Sequence, residues 1–208
     1  MPIFPAKQTR HASTYADAYF DHLAAATATV DRQALNAAAQ AIAATARQGR
    51  LIHSCGNGGS AAIANHLVCD CMKGIRTDST IKPKVVSLSA TIEIITAIGN
   101  DIGYEQIFRY QLESLASPGD MLMVISSSGN SPNILQALEW AKGHGVTSIA
   151  MTGFDGGKAA ALADISLHVA AENYGIVEDV HQSLMHLLAQ FVRQQHIADP
   201  ALLGSIKF

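Results

Sequence analysis

The sequence predicts an α/β protein, a doubly wound parallel sheet of five strands preceded by a helical arm. Three observations lead there. From residue 50 onward, short apolar runs alternate with longer helical patterns. Those runs lack strict polar alternation, as strands covered on both faces do. Residues 12–48 are instead a helical, alanine-dense stretch with no such run.

Tyr15, Tyr19, Phe20 and Leu23 fall at helical spacing, and the alanine-rich run over 24–46 continues the helix, with a break at 29–31 that divides it in two. Small side chains give a narrow apolar stripe, which packs closely on other helices but builds little core of its own. This predicts an arm used in assembly. Strands are expected at 51–54, 84–88, 121–126, 147–152 and 165–169. Between and after them, helices are expected at 60–73, 91–98, 104–115, 133–144 and 178–195. Strand and helix in this order give parallel crossovers. Ligands of such sheets sit beyond the carboxyl ends of the strands, so the loops after residues 54 and 126 are where chemistry is expected.

A chain of 208 residues is one substantial domain, and 49% hydrophobic with only 15% charged residues leaves little polarity to cover a monomer. Disorder is excluded and a homo-oligomer is expected. Net charge is −3 and no run of Lys or Arg exceeds two residues, which argues against nucleic acid as a partner. Apolar stretches fall well short of a membrane span, and the first ten residues lack a signal-peptide pattern. Three cysteines, Cys55, Cys69 and Cys71, form an odd set that fits a reducing compartment, so a cytoplasmic protein is expected.

Two loops echo each other. After the first strand comes Cys55-Gly56-Asn57-Gly58-Gly59-Ser60, and after the third Ser126-Ser127-Ser128-Gly129-Asn130-Ser131, each leading into a helix. Glycines let backbone N–H groups converge, a helix N-terminus adds partial positive charge, and serine hydroxyls donate without bulk, which suits a phosphate ester. The same residues also serve as plain helix caps. Neither loop carries the Lys-Ser/Thr ending of a nucleotide P-loop or the Gly-x-Gly-x-x-Gly of a dinucleotide fold, so a small phosphate ester is expected and no nucleotide cofactor.

Polar residues also line up on two helices. His66 and Asp70 are four apart, which places both on one helix face, expected on the same side of the sheet as the phosphate loops. Glu178, Gln182 and His186 step by four along the last helix, opposite an apolar face of Val180, Leu184, Leu187, Leu188 and Phe191. Cys69, three residues after His66, is either a further thiolate ligand or a small buried packing residue.

The ordered series 54–60, His66, Gly99-Asn100-Asp101, Pro118-Gly119-Asp120, 126–131 and 152–157 resembles the sugar isomerase (SIS) domain and, within it, the sedoheptulose 7-phosphate isomerase (phosphoheptose isomerase) family. The likeness covers roughly residues 50–195, with a helical arm before it. It implies an arm over 1–49 and an SIS domain over 50–208, a homotetramer, and active sites between subunits. It also implies an aldose–ketose isomerase acting through an enediol, with Asp70 and His186 as catalytic groups. Substrate contacts are implied for Asn57, Gly58, Ser60, Asp101, Ser126, Ser127, Ser128, Ser131 and Glu178, and a zinc ion for His66, Asp70, Glu178 and His186. Asp101 also reads as part of a turn with no ligand role.

Several positions depart from the family pattern. Asp70 stands where the family has Glu and Glu178 where it has Gln, although His and carboxylate donors still suit a divalent cation. Gly74 replaces a basic residue, a role open to Lys73 or Arg76, and Gly175 replaces a polar one. The alternatives are isomerisation of a different sugar phosphate, or a non-catalytic SIS-domain protein that binds sugar phosphates or regulates replication initiation.

Overall fold

The computed structural model describes residues 3–207. Five strands, β1 (Leu51–Gly56), β2 (Lys84–Ser87), β3 (Met121–Ser126), β4 (Thr147–Thr152) and β5 (Ile165–His168), form one sheet in the order β2-β1-β3-β4-β5. All four pairings are parallel. The chain leaves β1 toward β2 on one side and reaches β3 on the other. The crevice between the carboxyl ends of β1 and β3 is therefore the topological switch point, where α/β sheets bind ligands.

Two apolar layers cover the sheet. On one face lie α1 (Ala12–Ala28), α2 (Arg32–Arg47), α3 (Gly59–Cys69) and α8 (Tyr174–Gln195), burying Ala38, Ile42, Ile63, Leu67, Leu184 and Leu188 against Ile52, Met123 and Ile149. On the other lie α4 (Ile92–Asp101), α5 (Arg109–Leu115), α6 (Pro132–Gly143) and α7 (Gly157–Leu162), with Phe108, Leu112, Ile134 and Leu138 over Leu122 and Val124. Alternate residues of β3 enter opposite layers, as the period of two requires. Within one chain, the helices of 12–47 lie on the sheet and α8, and Ala38 and Ile42 belong to the same layer as the strands. Among the described residues, no helix is long and apolar enough to cross a membrane.

Local chemistry sets the boundaries. Asp31 accepts from the Gln33 N–H at 2.7 Å and starts α2 after the expected break. Asn173 accepts from the Ile176 N–H at 3.0 Å, so α8 begins at Tyr174, a turn before the expected 178. Its amide also donates to the Phe4 carbonyl at 3.0 Å, which leaves a capping side chain satisfied at both ends. The expected helix over 104–115 is instead a 3₁₀ turn, Tyr104–Gln106, followed by α5. The expected helix over 60–73 is α-helical only to Cys69 and continues as a π-helical turn, Asp70–Ile75. α7, six residues long, is too short to show periodicity in sequence.

Two buried histidines test the electrostatics. At the amino ends of β1 and β3, the Asp120 carboxylate accepts from the Leu51 and Ser117 N–H groups, each at 2.9 Å, and lies 3.4 Å from His53 Nε2. Burial pushes the Asp120 pKa up, but these donors outweigh it and hold the carboxyl below its ordinary value. Burial lowers the His53 pKa, against the opposing pull of Asp120.

His181 on α8 is fully buried with neither ring nitrogen well hydrogen-bonded, and burial lowers its pKa to about 4; the Thr152 carbonyl opposes the shift and His168 adds to it. The unfolded chain takes up a proton here near the ordinary value of 6.5, and the folded chain only near 4. Stability is therefore lost as pH falls through that window and levels off below the folded value. Between pH 7 and 5 this residue is expected to contribute a loss of about 2 kcal/mol. Denaturant midpoints measured across that range should fall more steeply for the wild type than for His181→Gln, and parallel slopes would refute the assignment.

Candidate active site

The two glycine loops meet at the switch point. β1 ends in Gly56, and Gly58 caps α3 with φ 54°, a conformation that favours glycine. Asn57 and Asn133 exchange amide hydrogen bonds, each 2.9 Å, joining the first loop to the first turn of α6. The Tyr104 hydroxyl donates to Asn57 Oδ1 at 3.0 Å. Asn57, expected at the substrate, is thus also the clasp between the loops.

In the second loop, Ser126 is buried and its hydroxyl accepts from the Gly129 N–H at 3.2 Å, while the Ser128 hydroxyl accepts from Asn130 N–H at 3.3 Å. The Ser127 hydroxyl is buried without a partner, and Ser131 caps α6 through its backbone only. Hydroxyls left in this state suit a ligand with many acceptor oxygens. The third glycine motif buttresses this loop. Gly153 N–H donates to the Ser127 carbonyl at 2.9 Å and Ala159 N–H to the Gly129 carbonyl at 2.9 Å. A side chain on Gly129 or Gly157 would run into the facing backbone, and both have positive φ. That explains a motif the sequence showed without a role.

The residues expected to act as acid and base gather elsewhere, at the end of α3 and on α8. Asp70 Oδ2 lies 2.6 Å from His186 Nδ1, and Asp70 Oδ1 lies 3.3 Å from His66 Nε2. The two imidazole rings meet edge to face at 5.2 Å. The Gln182 amide donates to His186 Nε2 at 2.8 Å. Asp70 is largely buried, whereas both histidines are about half open to solvent. The helix turns to π geometry at Asp70, the kind of insertion that re-aims side chains at functional sites.

A cleft of about 400 Å³ lies beside the pair, lined by Cys69, Asp70, Lys73, Gly74, His186 and Arg193 among others. Of the two candidate basic residues, Lys73 lines this cleft. Arg193, which no sequence pattern marked, is buried beside it and donates to the Thr77 carbonyl at 2.9 Å. Cys69 is exposed, which corrects the packing reading for it. Cys71 is the buried one, its thiol pushed up to about 12 by burial first and then by Asp70.

Of the four expected cation ligands, His66, Asp70 and His186 place one donor atom each within 4.8 Å of one another. Two imidazoles and a carboxylate fit a divalent ion with an open coordination position. Glu178 stands apart. Its carboxylate crowds Gly59 at the start of α3, and burial, then Asp179, raises its pKa. Eight residues of helix separate Glu178 from His186, about 12 Å along the axis. Asp70 likewise lies about 16 Å down α3 from Gly59. Within one chain, then, Asp70 and His186 lie a helix length away from the first glycine loop, which agrees with the expectation of sites completed between subunits without testing it. Asp101 is exposed at the end of α4, where it accepts from the Asn100 amide at 2.7 Å.

With this geometry in hand, likeness to known proteins is informative. A profile of the SIS domain matches residues 14–153. A phosphoheptose isomerase of Nitratidesulfovibrio vulgaris strain Miyazaki F is 45% identical over 149 residues, 72% of this chain and 71% of that protein. The solved phosphoheptose isomerase GmhA from Neisseria gonorrhoeae superposes with a TM-score of 0.80 at 30% identity, over 88% of this chain and 98% of that one. The phosphoheptose isomerase from Francisella tularensis gives 0.81 at 31% identity, over 88% and 99%.

Proposed function

The chain belongs to the SIS-domain family and, within it, to the phosphoheptose isomerases, and on that premise we propose that it converts sedoheptulose 7-phosphate to D-glycero-D-manno-heptose 7-phosphate. The observation that carries the reading is the Asp70–His186 hydrogen bond of 2.6 Å in a chain that also keeps both serine–glycine loops. A sugar-phosphate sensor has no need of a paired carboxylate and imidazole, whereas an isomerase requires them.

The chemistry follows from the groups present. The second loop and the α3 and α6 N-termini hold the phosphate of the open-chain ketose. Asp70 removes a proton from C1, and the electron pair forms the C1–C2 double bond of an enediol as the C2 carbonyl oxygen gains a proton. His186, held by Asp70 at Nδ1, carries the proton between the two enediol oxygens through Nε2. Return of a proton to C2 leaves the carbonyl at C1. His66, Asp70 and His186 would hold zinc, which when bound supplies carbonyl polarisation.

The site is proposed to form between copies of the chain. A seven-carbon phosphate cannot span the roughly 16 Å of α3 between Gly59 and Asp70. A second copy that sets its loops and Glu178 against the first copy's Asp70 and His186 closes the gap. Exposed Phe20, Leu187 and Phe191 on α1 and α8 support such packing, with residues 1–49 serving assembly into a homotetramer in the cytoplasm.

Incubation with sedoheptulose 7-phosphate in deuterated water tests the reading. An aldose 7-phosphate carrying deuterium at C2 is expected by NMR. Neither product nor exchange, with and without zinc, would overturn the assignment.

A further inference from the structure

We propose that Tyr104 is a positioning residue that makes Asn57, in the first glycine loop, a pure donor toward the substrate's phosphate; the inference rests on the isomerase reading above, which brings a sugar phosphate to the crevice between β1 and β3. Tyr104 opens the 3₁₀ turn after α4 and is exposed, so packing does not explain it. Its turn is nonetheless fixed. Gly103, at φ 151°, donates to the Ile98 carbonyl at 2.9 Å on one side, and Ile107 and Phe108 are buried in the layer against β3 on the other. What the turn delivers is a hydroxyl, 3.0 Å from Asn57 Oδ1 and 47 residues away in sequence.

An amide oxygen has two lone pairs. On Asn57 both are filled, one by the Asn133 amide at 2.9 Å and one by the Tyr104 hydroxyl. Its nitrogen gives one N–H to Asn133 Oδ1, also at 2.9 Å, and keeps the second. Asn133 is buried in the first turn of α6, so its amide cannot swing out to water and release the pair. Asn57 therefore has a donor to offer a ligand and no acceptor, like the helix N-termini beside it. The two amides alone would pair equally well with both turned over, and Asn57 would then offer oxygen to the ligand. A phenol, a stronger donor than acceptor, holds the Asn57 oxygen toward Tyr104 and leaves the N–H for the phosphate. Loss of the hydroxyl should thus weaken binding without slowing turnover of the bound sugar.

Variants separate this from a purely structural role. Tyr104→Phe keeps the ring and removes only the donor. It is expected to raise KM for sedoheptulose 7-phosphate about tenfold, with kcat within about twofold and the melting temperature near wild type. Tyr104→Leu should match it, because the ring itself is exposed. Inorganic phosphate, used as a competitive inhibitor, should weaken by the same factor in both. Because Tyr104 acts through Asn57, adding Tyr104→Phe to Asn57→Ala should raise KM no further than Asn57→Ala alone. A wild-type KM in Tyr104→Phe, a loss confined to Tyr104→Leu, unaltered inhibition by phosphate, or a full Tyr104 effect on the Asn57→Ala background would each overturn the proposal. Titration calorimetry with sedoheptulose 7-phosphate separates this role from the function reading. Should the wild type bind the ester without isomerising it, the isomerase reading falls, and the dissociation constants of the same variants still decide the role of Tyr104. A wild type that binds neither the ester nor phosphate overturns both.

Discussion

Asp70→Asn is expected to lower kcat about 10³-fold while KM and thermal stability stay near wild type. Asparagine matches the shape of aspartate, and its carbonyl can still accept the His186 Nδ1–H that Asp70 now takes at 2.6 Å. What it loses is the basicity needed to take a proton from carbon, so the loss falls on the transition state. His186→Gln should cost a similar factor, because the proton between the two enediol oxygens then has no carrier. The two residues are joined by one hydrogen bond and act on one intermediate, so the double variant should be little worse than either single one. A folded Asp70→Asn enzyme that keeps more than about a tenth of wild-type kcat would move the base elsewhere.

The site divides by what a linear sequence can encode. β3 and β4 have the expected bounds because their apolar runs are complete and closed by Pro118-Gly119-Asp120, Gly145 and Gly153. The serine–glycine loops were legible as strand-to-helix turns because such a turn is local. The i, i+4 spacing of His66 and Asp70 foretold one helix face, and their 3.3 Å contact agrees. Contacts that link distant segments left no such trace. The Asn57–Asn133 clasp, the Tyr19 hydroxyl bonded to Asp179 at 2.6 Å, and buried Arg193 all depend on how helices pack over the sheet. The π turn at Asp70 has no periodic signature, since it shifts the pattern by one residue over a single turn. The distance from Glu178 to His186 was implicit in their eight-residue spacing. It acquires meaning only once both partners, Gly59 and Asp70, are located at opposite ends of α3.

That separation leads to the second large effect, which is a rescue. Ser128→Asp puts a carboxylate in the phosphate loop, where it repels a dianion, and is expected to raise KM about 10²-fold or more. Alone, it and Asp70→Asn should each be nearly inactive. Mixed before assembly, their chains should recover activity if each site takes its loops from one copy and its acid–base pair from another. In a symmetric pair of unlike chains, one site inherits both lesions and the other inherits neither. Random mixing in equal amounts then leaves about a quarter of the sites intact, with wild-type KM. A site built within one chain would recover nothing, because every copy carries a lesion of its own. Recovery of activity at low substrate would therefore show that assembly builds the site. The low charge of the sequence then has a chemical reason: the helices that present Asp70, Glu178 and His186 carry apolar neighbours such as Leu187 and Phe191, which need a second copy to cover them.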